Sequence, residues 1–175
     1  MHIVIGLLVL AAGAYWWLQL GRNAAEAANE IVDMGRDAIG AARQWNFKRR
    51  TNVHPVDGID DPKLAAGALA AALVELGGLP TQERRSALLV ALQSRLDMGV
   101  EDAKELLVLS NWFITSCDGA DGAVSRLSRR LKKLDGVDLL DPALETLRAA
   151  VAVDGELTPK QRDALTNVAR TFGRS

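Results

Sequence analysis

Side chains that usually carry chemistry are scarce in this chain. Cys117 is the only cysteine among 175 residues, which excludes an internal disulfide and any zinc site built on several thiolates, and suits a reducing compartment. Its only imidazoles are His2, at the amino terminus, and His54, in a stretch without apolar periodicity, so histidine-based catalysis or metal ligation is not expected. No sequence pattern sets a nucleophile beside a base, and the carboxylates are scattered, so the chain reads as a non-enzyme. Neither sign of charge dominates: 21 Lys and Arg oppose 22 Asp and Glu, for a net charge of −1. With no global polycation, nucleic acid is not an expected partner. Strand signals are absent as well, which leaves an all-α chain.

What the chain does have is an apolar start. Residues 3–20 run eighteen positions without a charge and contain the aromatic run Tyr15, Trp16 and Trp17. At the helical rise this is about 27 Å, close to the roughly 30 Å of hydrocarbon that a single helix must cross. Residues 1–22 are therefore expected to form a transmembrane anchor in contact with lipid through residues 3–20. Trp16 and Trp17 would lie at the headgroup interface, where an indole buries its ring and keeps its hydrogen bond. The rival is a secretory signal peptide cleaved near Ala12, Gly13 and Ala14. Against it stand the lack of Lys or Arg before the apolar run and the two tryptophans soon after the cleavage site. Arg22, Arg36, Arg43 and Lys48, Arg49 and Arg50 follow the run, so the positive-inside rule predicts a single-pass inner (plasma) membrane protein with its amino terminus out and its carboxy-terminal domain cytoplasmic.

Residues 23–47 read as an amphipathic stalk helix continuing from the anchor. Ala24, Ala28, Ile31, Gly35, Ala38, Ala42 and Trp45 recur at steps of four and three and mark one face. The stripe is small-sided, which permits close backbone approach. It suits contact with another membrane subunit or self-association, and equally a helix packed on its own domain. Residues 48–60, with three adjacent cations, Pro55 and an Asp57-Gly58 turn signal, read as a linker, its cations either solvated or against anionic headgroups.

Residues 61–175 are expected to form a compact bundle of short helices. Asp61-Pro62, Asp141-Pro142 and Thr158-Pro159 each set a capping side chain before a proline, and Thr158 with Gln161 completes a capping box. The predicted helices are 62–76, 81–96, 100–116, 123–133, 142–153 and 159–172, with breaks at Gly77-Gly78, Met98-Gly99, residues 118–122, residues 135–138 and Asp154-Gly155. Residues 106–114 are apolar, contain Trp112, Phe113 and Ile114, and are too short to span a membrane, so they read as a core helix. Arg126, Arg129, Arg130 and Lys133 share a face opposite Val124, Leu127, Leu131 and Leu134. That basic face would meet anionic lipid or an acidic partner, or simply water.

Two segments resemble each other: residues 71–88 read AALVELGGLPTQERRSAL and residues 149–165 read AAVAVDGELTPKQRDAL. The second, from Val153 to Gln161 through Asp154-Gly155-Glu156, resembles the helix, Asp-Gly turn and helix signature of the tellurite-resistance TerB-like family, over about residues 61–173. The resemblance implies an all-helical fold of two half-repeats and a divalent cation, such as calcium, held by an aspartate before the glycine and a later acidic residue. On this chain it points to Asp154, and a hard cation's need for several carboxylate oxygens adds Glu156 as a second ligand, with Glu75 or Glu83 as further donors. Gln161 stands at the later acidic place, and Gly77 stands where the first half would carry its aspartate. Asp154-Gly155 also reads as an ordinary interhelical turn. Residues 117–122, Cys-Asp-Gly-Ala-Asp-Gly, do not complete a calcium loop, because Arg129 replaces the closing glutamate. The family also occurs in a membrane-anchored co-chaperone, but here the contiguous His-Pro-Asp of a J-domain becomes His54-Pro55-Val56-Asp57.

Together these features predict a non-enzymatic membrane-anchored interaction module, an accessory subunit or scaffold of a larger complex. The alternative is a divalent-cation-binding sensor in an envelope stress response of the tellurite-resistance kind.

Overall fold

The structure is a computed structural model and describes residues 52–153 and 155–174. Six α-helices make up this region: α1 Pro62–Glu75, α2 Gln82–Leu96, α3 Val100–Ser116, α4 Ala120–Lys133, α5 Leu140–Val151 and α6 Pro159–Thr171. Two short 3-10 turns accompany them, Pro55–Gly58 and Gly136–Leu139, and no strand occurs among the described residues. None of these helices is long and apolar enough to cross a membrane, and the anchor and stalk expected from the sequence lie outside the described residues.

Helix α1 is the axis of the bundle. Every residue from Leu64 to Val74 is buried, so it has no polar face, as an Ala- and Leu-rich helix surrounded by others requires. It packs against α3, α4 and α5 and touches α2 and α6, while α2 lies mainly on α5 and α6 mainly on α4. Small residues allow this crowding: a Cβ at Gly67 would collide with the Leu106 side chain of α3. The buried hydroxyls need no outside partner, since Ser110, Ser128 and Thr146 each donate to the carbonyl four residues earlier, on Leu106, Val124 and Pro142.

The helix starts obey local chemistry at two of three expected caps. Asp61 accepts from Lys63 N at 2.7 Å and Leu64 N at 3.3 Å, and the Thr158 and Gln161 capping box forms in full. Asp141 differs. The cap of α5 is Leu139, because the preceding 3-10 turn runs directly into the helix, and Asp141 instead accepts from Arg174 at 2.5 Å. Helix α4 also begins three residues earlier than expected. Gly119, at φ 117°, turns the chain, and Gly122 then fits under the Cys117 carbonyl, which a Cβ would strike. Asp118 in the same corner, and Asp97 and Asp135 at two others, lie in the left-handed region, where a short polar side chain tolerates positive φ. In α3, Leu106, Leu109, Phe113 and Ile114 are buried, as expected of a core helix, and the Trp112 ring lies half-buried at 5.4 Å from that of Phe113.

The described part of the expected linker departs most from the sequence reading. Val56 and Ile59 are both 0% exposed and belong to the hydrophobic core. Three residues apart, they fall on one side of the 3-10 turn, whose period is three. Residues 54–60 are therefore a strap lying on the bundle.

Candidate functional site

The strap and α4 meet in a set of charged hydrogen bonds. Arg126 grips Asp57 with two nitrogens, Nε to Oδ1 at 3.3 Å and Nη2 to Oδ2 at 2.6 Å. This bidentate pairing fixes geometry as well as charge. One turn on, Arg130 Nε donates to the Ile59 carbonyl at 2.6 Å and Nη2 to Asp60 Oδ1 at 3.1 Å. The guanidinium bond holds the Asp57 carboxyl below its ordinary range and raises Arg126 in turn, each against a smaller opposing effect of burial. Two of the four cations of the predicted basic face thus fasten the chain's own strap. Arg129 and Lys133 remain exposed, Arg129 with its Nε on the Ser125 carbonyl of its own helix.

His54 anchors the other end of the strap. Its Nε2 lies 2.9 Å from the Ser116 carbonyl oxygen, and its Nδ1 accepts from Val56 N at 3.3 Å. A carbonyl can only accept, so the neutral ring carries its proton on Nε2. That same nitrogen is 3.9 Å from Cys117 Sγ. With its lone pair directed at Val56, the ring has none to take a proton from the thiol, and burial raises the Cys117 thiol above its ordinary value, the effect of nearby Arg126 being smaller. The pair lacks the geometry of a thiolate–imidazole nucleophile.

A second joint lies where α1 ends and α6 begins. Gln161 is 0% exposed. Its Oε1 accepts from Thr158 N at 2.9 Å, while its Nε2 donates to the Leu73 carbonyl at 2.9 Å and to that of Val74 at 3.4 Å. The side chain both opens α6 and caps the Leu73 carbonyl at the end of α1, while sharing the Val74 carbonyl with Gly77 N. A Cβ on Gly77 would come within 2.6 Å of that Nε2. Gly77 and Gln161 therefore form one contact, the glycine making room for the glutamine.

Comparison of the chain with known protein families, with characterised proteins and with solved structures finds no match.

Of the metal ligands expected from the resemblance, Glu156 is exposed in the turn before α6, and Asp154 lies outside the described residues. Glu83 is exposed on the first turn of α2, whereas Glu75 is half-buried, and burial raises its carboxyl above the ordinary value despite Arg85. Among the described residues no group of three His, Cys, Asp or Glu stands close enough to hold a metal ion. The stalk positions Ala28, Ile31, Gly35, Ala38 and Ala42 and the interfacial Trp16 and Trp17 also fall outside the described residues. Sequence reasoning missed the strap and the inward role of Gln161. The spacing of Val56 and Ile59 was the available signal for the first, and the capping box was half of the signal for the second.

Proposed function

We propose that this chain is a membrane-anchored interaction module without catalytic activity, serving as an accessory subunit or scaffold of a larger membrane protein complex. The observation that carries this reading is the charge-free run of residues 3–20, followed at once by a small-sided amphipathic stretch suited to helix contact. The strap lends support: a domain held on a membrane tether gains from an attachment whose first residues, His54, Asp57 and Ile59, are fastened to α3 and α4. The likeness to TerB-like domains concerns the helical half-repeats, and the exposed cations Arg129 and Lys133 offer a further contact for anionic lipid or an acidic partner. The test is affinity purification of the tagged full-length chain from gently solubilised native membranes, beside a control lacking residues 1–22. Stoichiometric membrane proteins should accompany the full chain and be lost from the control. Recovery of the full chain alone, or entirely in the aqueous fraction, would overturn the reading.

A further inference from the structure

Charge is spread unevenly over this domain. Residues 126–133 hold five Lys and Arg and no carboxylate, whereas the rest of residues 52–174 holds 10 Lys and Arg against 18 Asp and Glu. One stretch of α4 is therefore cationic on a body that is otherwise anionic. At about 100° per residue, Arg129, Lys132 and Lys133 fall within one arc of the helix, opposite the buried Val124, Leu127 and Leu131. Arg170, on the last turn of α6, joins them, because Lys132 Nζ donates to the carbonyl of the adjacent Thr171 at 2.7 Å and ties the two helix ends together.

These four differ from Arg126 and Arg130, whose charges Asp57 and Asp60 offset. Arg129 donates to the Ser125 carbonyl, Lys132 to that of Thr171 and Arg170 to the side-chain amide oxygen of Asn167, all of them neutral acceptors. Among the described residues none of the four, Lys133 included, forms an ion pair with a carboxylate, and all four are exposed. The face also lacks an apolar anchor: the large hydrophobics exposed among the described residues, such as Leu79, Val90 and Val153, lie on neither α4 nor α6. A protein partner is normally held by aromatic or aliphatic anchors at the centre of an interface. A surface of lipid phosphates needs only accessible charge, and each Lys or Arg close to it strengthens the contact about fivefold.

We propose that the outer face of α4, with the end of α6, docks on an anionic bilayer, with Arg129, Lys132, Lys133 and Arg170 meeting the lipid phosphates. The same surface repels the carboxylate excess of the rest of the domain, so the domain is held in one orientation, with α4 along the membrane. This rests on the membrane reading above for the nearness of a bilayer, and adds to it the lipid class and the face that meets it.

Fluorescence quenching in the full-length chain tests it. With Cys117→Ser as background, Ser125→Cys, one turn before Arg129 on the same arc, carries a fluorophore, and Ser94→Cys on α2 carries it in a control. The chain is reconstituted into vesicles of phosphatidylcholine, alone or with one part in three of phosphatidylglycerol, each with a trace of lipid bearing a quencher on its headgroup. Quenching is expected at residue 125 in the anionic vesicles only, reversed by salt, and none beyond background at residue 94. Arg129→Gln with Lys133→Gln should lower the ratio of docked to undocked domain about thirtyfold, while Arg129→Lys with Lys133→Arg keeps it. Equal quenching in neutral and anionic vesicles, or no more at residue 125 than at residue 94, would overturn the proposal. So would a fluorophore at residue 125 that responds to a poly-glutamate peptide and not to lipid charge, which hands the face to an acidic protein. A chain that neutral vesicles do not retain loses its anchor, yet the response to phosphatidylglycerol still decides the docking, so the two readings can fall separately.

Discussion

Two polar joints hold this domain together, and they are built on opposite principles. Between the end of α1 and the start of α6, Gln161 is fully buried and neutral, with its carbonyl and amide groups both bonded to backbone. On the strap, Arg126 and Asp57 are charged and 38% and 44% exposed. A buried neutral amide does not respond to salt and is costly to disturb, because each lost bond leaves a carbonyl or N–H away from water. An exposed ion pair is screened, competes with water and contributes little. The first joint belongs to the permanent core, whereas the second is a fastening that conditions can loosen.

The sharpest way to break the comparison is to put charge into the buried joint. Gln161→Glu keeps the shape and replaces the donating amide by a carboxylate facing the Leu73 carbonyl at 2.9 Å. We expect it to destabilise the domain by about 2–4 kcal/mol at neutral pH. The sign with pH follows from the burial. The introduced carboxyl has its folded-state pKa raised, so the variant is most stable below the ordinary glutamate value and loses stability as pH rises through the raised one. Thermal melting against pH would show this slope in the variant and not in the parent. Calcium is expected to leave the variant's melting temperature unchanged, and a large calcium-dependent rise would favour the cation-sensor alternative. Gly77→Ala attacks the same contact from the other side. It should cost about 1–2 kcal/mol alone and markedly less once Gln161→Ala has removed the side chain it strikes, a non-additivity that a double-mutant cycle reads directly.

The two joints also differ in how far the sequence disclosed them. All six helices were legible, with α3 matched at both ends, because caps, prolines and left-handed Asp or Gly corners are written locally. Half of the Gln161 joint was legible for the same reason: a capping box needs only four neighbouring residues. Its other half, 87 and 88 residues away on α1, has no local signature. The strap escaped for a different reason. Two apolar residues three apart are too few to declare a period, and the turn signals Pro55 and Asp57-Gly58 say that the chain bends, not that Val56 and Ile59 are buried when it does. The partners of Arg126 and Arg130, Asp57 and Asp60, come from a segment that reads as a linker, so the sequence does not disclose these pairs.

Between the two extremes lies the apolar half of the strap, which sharpens the comparison by separating packing from charge. Val56→Ala removes two buried methyl groups from a fully enclosed site and should cost about 1–2 kcal/mol. If the strap is fastened chiefly by its core residues, the loss should be the same in low and high salt. Chemical denaturation at two ionic strengths checks this, and a cost that vanished in either condition would mean that Val56 is not enclosed as described.

The smallest effect is expected from the ion pair itself. Asp57→Asn keeps one acceptor for Arg126 and removes the charge, so the loss should stay within about 1 kcal/mol and shrink further as salt is added. Its pH dependence has a definite direction. The Asp57 carboxyl is depressed in the folded state, chiefly by the Arg126 bond, so its contribution is fully present above the ordinary aspartate value and is lost as pH falls through the depressed one. Parent and Asp57→Asn melting curves should therefore converge in acid and separate toward neutrality, here because the parent gains stability as its own carboxylate ionises, whereas in Gln161→Glu the variant loses it. Equal sensitivity of both variants to salt would erase the distinction between a core joint and a detachable one.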